Sequence, residues 1–382
     1  MTLWLPTGRA AATGGNRTVY LQLVALGLSI AIVTQATAAD SRTFSMGFTP
    51  WPWALDAAAV QETYDFINAN ADIIAHHIEE GVPWTEALKE RPFHPAMMAA
   101  WEGRKRSTSA RLKVFLSISP INQLRDGMAD YRGAEYQMPI PAAFKGKRFN
   151  HPDVKAAYFR YARKAVEFFE PDYLAIAVEV NELLENRPAV WDDFAELYRS
   201  TYQELKREHP NLPIFFTVSL HNLVNPARGD PAHRWKKIEA LWSHSDLAGI
   251  SFYPFLQRPL DLSRATAALD EVKRRTDRKI AISESGYPGK PVAVDALRQL
   301  PATPEIQKNV YYAMLSQALE DQYEFFIVWC YRDYDQLWAD MKDQLPEWGA
   351  MWRDVGIVDG HGKPRPAREV WDLFRSLPLE KR

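Results

Sequence analysis

Eight short apolar runs, each followed by a helix-length stretch, narrow most sharply what this chain can fold into. They are Thr43–Thr49, Asp72–His77, Leu112–Ser119, Tyr173–Asn181, Ile214–His221, Leu247–Tyr253, Lys279–Ser285 and Phe325–Tyr331. Short runs rich in β-branched and aromatic side chains, with little polar alternation, read as parallel strands buried on both faces. Between them the apolar period lengthens. Ala157–Phe169 and Trp191–Leu205 read as amphipathic helices, the second carrying Phe194, Leu197, Tyr198, Tyr202 and Leu205 on one side. Glu170-Pro171 and His209-Pro210 supply helix stops ahead of two of the strands. The alternation predicts one α/β domain over residues 40–382, a single (β/α)8 TIM barrel.

No Gly/Ser linker, charge block or short repeat divides that stretch. A dinucleotide-binding sheet would carry a glycine fingerprint after its first strand, and Met46-Gly47-Phe48-Thr49-Pro50 has none. The long connection from Pro120 to His151 reads as an extended loop at the barrel mouth. Residues 1–38 are set apart from the fold. Arg9 and Arg17 precede the apolar run Val19–Val33, and Ala36-Thr37-Ala38 offers a small-residue cleavage site. The run is short for a membrane span, so a signal peptide is the expectation and an uncleaved amino-terminal anchor the alternative. A secreted or periplasmic location follows from it.

A formal net charge of −2 gives no reason to expect nucleic acid or an anionic membrane surface as partner. The 13 Trp, 16 Tyr and 18 Phe are a large aromatic complement, and flat rings match the apolar C–H face of a sugar. Cys330 is the only cysteine, so no intrachain disulfide can form, and it reads as a small buried apolar residue.

Two strands end on glutamates. Val180-Asn181-Glu182 closes the fourth run and Ser283-Glu284-Ser285-Gly286 the seventh. In a barrel, the carboxyl ends of the strands form the face on which chemistry is assembled. Two carboxylates converging there can divide the acid and nucleophile roles that cleavage of a sugar–sugar bond needs. Each also has a plain structural reading: Glu182 as a helix-start acid, Glu284 as a strand-end ion-pair partner. Asn181 could bond a sugar hydroxyl, provided a bulge lets it share a site with its neighbour Glu182. Glu179 points the same way as Asn181 by parity and is expected to be a buried supporting carboxylate.

With these residues in view, the chain resembles the clan-A glycoside hydrolases, nearest in motif to arabinogalactanase-like and cellulase-like members. Asn181-Glu182 is similar to their strand-four acid/base motif, and Glu284-Ser285-Gly286-Tyr287-Pro288 to their strand-seven nucleophile loop. Ser251-Phe252-Tyr253-Pro254 resembles the strand-six motif whose Tyr bonds the nucleophile. Trp329 falls at the strand-eight position of an aromatic sugar platform. Ser251 stands where cellulase-like members carry His, and His76-His77 where they often carry Arg. The resemblance implies a retaining glycosidase without cofactor or metal, with a carbohydrate substrate and Tyr253 orienting Glu284. Further substrate-contact candidates are Trp51, Trp53 and Trp84 in mouth-side loops, Trp338 beyond strand eight, His76 or its neighbour His77, Asn122 and Asn222. Each aromatic could equally pack in the core. The aromatic set hints at a polysaccharide cut internally. A glycan-binding barrel without turnover, a transglycosylase and, last, a metal-dependent barrel enzyme are the alternatives; no HExxH or tight ligand cluster supports the last. A monomer is the default for this architecture.

Overall fold

A computed structural model describes residues 40–380 except 258–260, 293, 295–299 and 344–346. The leader expected over residues 1–38 lies outside the described residues. Among these residues, no helix is long and apolar enough to cross a membrane.

Nine parallel strand segments make one sheet: β1 (Ser45–Phe48), β2 (Ile73–Ile78), β3 (Lys113–Ile118), β4 (Tyr173–Ala175), β5 (Ile214–Phe215), β6 (Thr217–Ser219), β7 (Ala248–Phe252), β8 (Ile280–Ser285) and β9 (Phe325–Val328). Their order is β5-β4-β3-β2-β1-β9-β8-β7-β6. Only Phe216 separates β5 from β6, so the two ends of this order are halves of one strand. The sheet therefore closes on itself with eight strand positions, one within each run read from the sequence. The fourth run is the exception in length, since its regular ladder stops at Ala175 although the apolar stretch continues to Asn181.

Alternate residues sort to two sides. Ile73, Ala75, Phe115, Tyr173, Ala175, Phe215, Leu247, Ala281, Phe325 and Ile327 fill the barrel interior. Phe115 stacks on Phe215 and tilts against Phe325, with ring centroids at 5.5 and 4.9 Å. Met46, Phe48, Ile74, Leu116, Leu174, Ile250, Ile282 and Phe326 point the other way, into the layer between sheet and helices. Helix Pro152–Phe169 shows how that layer is built. It buries Val154, Ala157, Tyr158, Tyr161, Ala162, Ala165, Val166 and Phe169, one stripe at helical spacing. His151 caps its start, and Glu170, left-handed at φ 49°, ends it just before Pro171. At Gly47 on β1 a Cβ would lie 1.9 Å from the Ile73 carbonyl oxygen, so only glycine fits there.

The two ends of the described stretch meet beneath the barrel. Arg42 forms an ion pair with Asp72 at 2.7 Å and donates to the Leu377 carbonyl, and Glu380 N–H donates back to Arg42 O. The final helix, Pro366–Ser376, lays Trp371 against Phe48 with centroids 4.4 Å apart.

Candidate active site

A cavity of ≈ 500 Å³ opens at the carboxyl ends of the strands, lined by residues on or following every strand position. Strand parity explains most of the lining. Stepping by two from the interior residues of β2 reaches His77 and Glu79; from β4, Glu179; from Leu247 and Phe325, Tyr253 and Trp329. All five line the cavity. His76, one step out of phase, turns outward between Tyr64 and Phe169, with Nε2 3.0 Å from Thr108 Oγ1. Burial, with help from nearby Arg104, lowers the His76 imidazole to about 3, so it stays neutral.

Glu284 reaches the cavity through a bulge. Parity with Ile280 and Ile282, which face the helices, would send it outward. The β7–β8 register shifts at this point: Ile250 pairs with Ile282, whereas Ser251 pairs with Glu284. Ser283 is the extra residue, and the bulge turns Glu284 into the mouth. Tyr253 Oη donates to Glu284 Oε2 at 3.1 Å, as the resemblance implied. His77 Nδ1 lies 3.7 Å from the other oxygen, Oε1. Burial pushes the Glu284 carboxyl up to about 7, His77 opposes the rise, and the charges of Glu179 and Glu79 add to it.

The polar part of the lining comes from the β2 and β3 connections. Arg125, a left-handed residue in the long loop after β3, grips Glu79 with both terminal nitrogens at 2.5 and 2.9 Å and meets Glu179 at 3.3 Å. His77 Nε2 completes the set 2.9 Å from Glu79. Burial works against the Glu79 anion, yet Arg125 and His77 hold its carboxyl well below the usual range. Glu80 is likewise bound by Arg104 at 2.8 Å and Arg132 at 3.3 Å. The apolar part comes from the β1 and β9 connections, with Trp51, Leu55, Trp329, Leu337, Trp338, Met341 and Trp352. Trp329 lies 5.9 Å from Trp51, 5.9 Å from His77 and 6.1 Å from Trp352 between centroids.

Several expected contacts lie elsewhere. Asn181 is fully buried and spends its amide on Ser219, accepting from Ser219 N–H at 2.8 Å and donating to Ser219 O at 2.9 Å. It does not line the cavity, so no sugar hydroxyl there is within its reach. Glu182 opens the short helix Glu182–Asn186 and accepts from Asn222 Nδ2 at 2.6 Å, so Asn222 is committed too. Neither lines the cavity. Burial and the neighbouring charge of Glu179 raise the Glu182 carboxyl to about 7. Trp84 is buried beneath the long loop, donating to Ala129 O at 2.8 Å and packing on Phe144. Trp53 is covered by the Arg332 guanidinium, 3.8 Å from its ring centre. Asn122 folds its own loop by accepting from the N–H groups of Asp126 and Gly127. Trp51, Trp329 and Trp338 do line the cavity.

Residues that the sequence reading did not select are Glu79, Glu80, Arg104, Gln123, Arg125, Tyr136, Gln137 and His221, with Glu179 read only as support. Parity from His77 points to Glu79, but no spacing signal singles out Arg125. Among the described residues, Asp333, Asp335 and Asp354 bring ligand atoms within 4.8 Å of one another. Lys290 reaches all three, at 3.6, 3.3 and 3.0 Å, so the cluster already has a cation of the protein's own.

The chain matches no protein-family model and no curated protein sequence. By structure it is similar to an exo-β-1,4-mannosidase, Op5Man5 from Opitutaceae bacterium strain TAV5 (TM-score 0.59, 13% identity), over 88% of this chain and 60% of that one. The chain thus spans about 60% of that enzyme's length. It is similar to a GH5_18 protein of Streptomyces cattleya in complex with Manβ1-4GlcNAc (0.60, 15%), covering 89% and 82%. Fungal β-1,4-galactanases align at 0.52 and 14% identity, covering 82% and 90%. The likeness is one of fold, a TIM barrel.

Proposed function

We propose that this TIM barrel is a retaining β-glycoside hydrolase. The observation that carries the reading is Glu284, turned by a bulge into an aromatic-walled cavity and held by Tyr253 on one oxygen with His77 beside the other. A carboxylate fixed in this way can attack an anomeric carbon. The bond from that carbon to the leaving oxygen breaks, while a glutamate at the end of β4 protonates the oxygen. The same glutamate then takes a proton from water, which attacks the anomeric carbon and releases Glu284 with configuration retained. The neighbours' names favour β-1,4-linked sugars as substrates.

The two-sided lining supports a sugar ligand. Indoles of Trp51 and Trp329 offer a surface for a ring's C–H face, and Glu79, Gln123 and Arg125 offer partners for hydroxyls. A cavity of ≈ 500 Å³ is sized for a small ligand, which favours a short oligosaccharide or a chain end over an internal stretch of polymer.

The test is turnover of 2,4-dinitrophenyl β-mannoside, β-galactoside and β-glucoside, with the first-formed anomer read by NMR. Wild type should cleave at least one and release the β-anomer first. Glu284→Gln should lose at least about 10³-fold in kcat/KM. Near-wild-type turnover by that variant would remove the basis of the reading.

A further inference from the structure

Four carboxylates line the cavity: Glu79, Glu80, Glu179 and Glu284. Two of the four are committed. Glu79 is bound on both oxygens by Arg125 and on one by His77, and Glu80 is shared between Arg104 and Arg132. A proton donor held in that way would have to break short charged contacts before serving a substrate. Glu179 is held least: its carboxylate meets Arg125 Nη2 at 3.3 Å, while that guanidinium makes its two shorter bonds to Glu79.

Glu182, which the Asn-Glu motif indicates, is the competing candidate. Its carboxyl is turned to Asn222 and it takes no part in the lining. The preceding asparagine is consumed by Ser219. Glu179 also carries a strained backbone. It is left-handed at φ 49°, a conformation that a long side chain adopts at a cost of order 1 kcal/mol, and its N–H is held by Thr217 Oγ1 at 2.9 Å. That turn lies four residues beyond Ala175, the last ladder residue of β4. The outcome is one lightly held strand-four carboxylate sharing the cavity with Glu284.

We infer that Glu179, and not Glu182, is the proton donor and base of this site. The inference rests on the hydrolase reading. In the first step the Glu179 carboxyl proton passes to the leaving oxygen as Glu284 bonds to the anomeric carbon. In the second, the Glu179 carboxylate takes a proton from water as that water displaces Glu284. Because Arg125 touches Glu179, a purely structural role is the rival explanation, and the experiment must separate the two.

Glu179→Ala, Glu179→Gln, Glu182→Ala and Glu182→Gln are compared on whichever dinitrophenyl β-glycoside the wild type cleaves and on its phenyl counterpart, with and without azide. Thermal melts identify any variant that fails to fold. Loss of the acid should slow the phenyl glycoside at least about 10²-fold more than the dinitrophenyl one, because the better leaving group needs no proton. Azide should accelerate Glu179→Ala and yield a β-glycosyl azide, since an anion can attack the glycosyl-enzyme without a base. Glu182→Gln should keep the wild-type ratio between the two substrates. Equal slowing of both substrates in a folded Glu179→Gln, or azide product from Glu182→Ala instead, overturns the assignment. If Glu284→Gln stays active, the hydrolase reading itself has failed, which is a separate result.

Discussion

At the residue scale, position relative to the cavity separates side chains that look equivalent in the sequence. His76 and His77 are adjacent, yet one is a neutral outward residue bonded to Thr108 and the other bridges Glu79 and Glu284. Burial works against a charge on His77, but Glu79, and less strongly Glu284, raise its pKa and so favour its charged form beside the proposed nucleophile. Glu182 makes a prediction that is independent of catalysis. Its carboxyl is raised from 4.5 to about 7 in the folded protein, so the native state binds that proton more tightly than the unfolded chain. The favourable contribution is therefore complete below pH 4.5 and is lost as pH rises through about 7. A shift of this size corresponds to roughly 3 kcal/mol. Glu182→Gln keeps an acceptor for Asn222 and removes the charge. Urea unfolding at pH 5 and pH 8 should show the variant gaining on wild type by roughly 3 kcal/mol at the higher pH. An unchanged difference between the two pH values would mean that Glu182 is better solvated than its surroundings indicate.

At the element scale, two irregularities assemble the site. The bulge at Ser283 reverses the facing of Glu284, and a left-handed turn at Glu179 interrupts the irregular stretch that follows β4. Asn181 then ties the departing chain to β6 through both groups of Ser219. That role is structural. Asn181→Ala would leave a buried N–H and a buried C=O unpaired at the barrel's one divided strand, a loss of about 3 kcal/mol. Asn181→Asp, which keeps the acceptor for Ser219 N–H, should fall between the two. Denaturant midpoints check the order, and an alanine variant as stable as wild type would contradict it. Tyr253 and Trp329 were legible in the sequence because each continues the inward parity of a clear strand run, whereas the facing of Glu284 was set by the bulge. Glu179 was legible as an inward side chain and not as a cavity residue, because parity gives a face and cannot say where a strand stops.

At the scale of the whole molecule, the barrel depends on its ends as well as its core. Arg42 is buried, pairs with Asp72, donates to Phe44 O and Leu377 O, and so joins the start of β1 to the segment after the last helix. Breaking a buried pair leaves an uncompensated charge, although Arg375 still reaches Asp72 at 3.3 Å. Arg42→Ala should therefore destabilise by about 3 kcal/mol, seen as a lower urea midpoint with the cooperative transition retained. A loss below about 1 kcal/mol would show that the helix packing alone holds the ends together.

The repeating unit, the closed sheet and the glutamate at the end of strand seven were settled by the sequence itself, since burial on both faces of a strand leaves a local and periodic trace. Which strand-four carboxylate meets the cavity was decided by the fold. It depends on a backbone turn and on Arg125, Thr217 and Ser219, partners 38 to 54 residues distant whose approach no local pattern records.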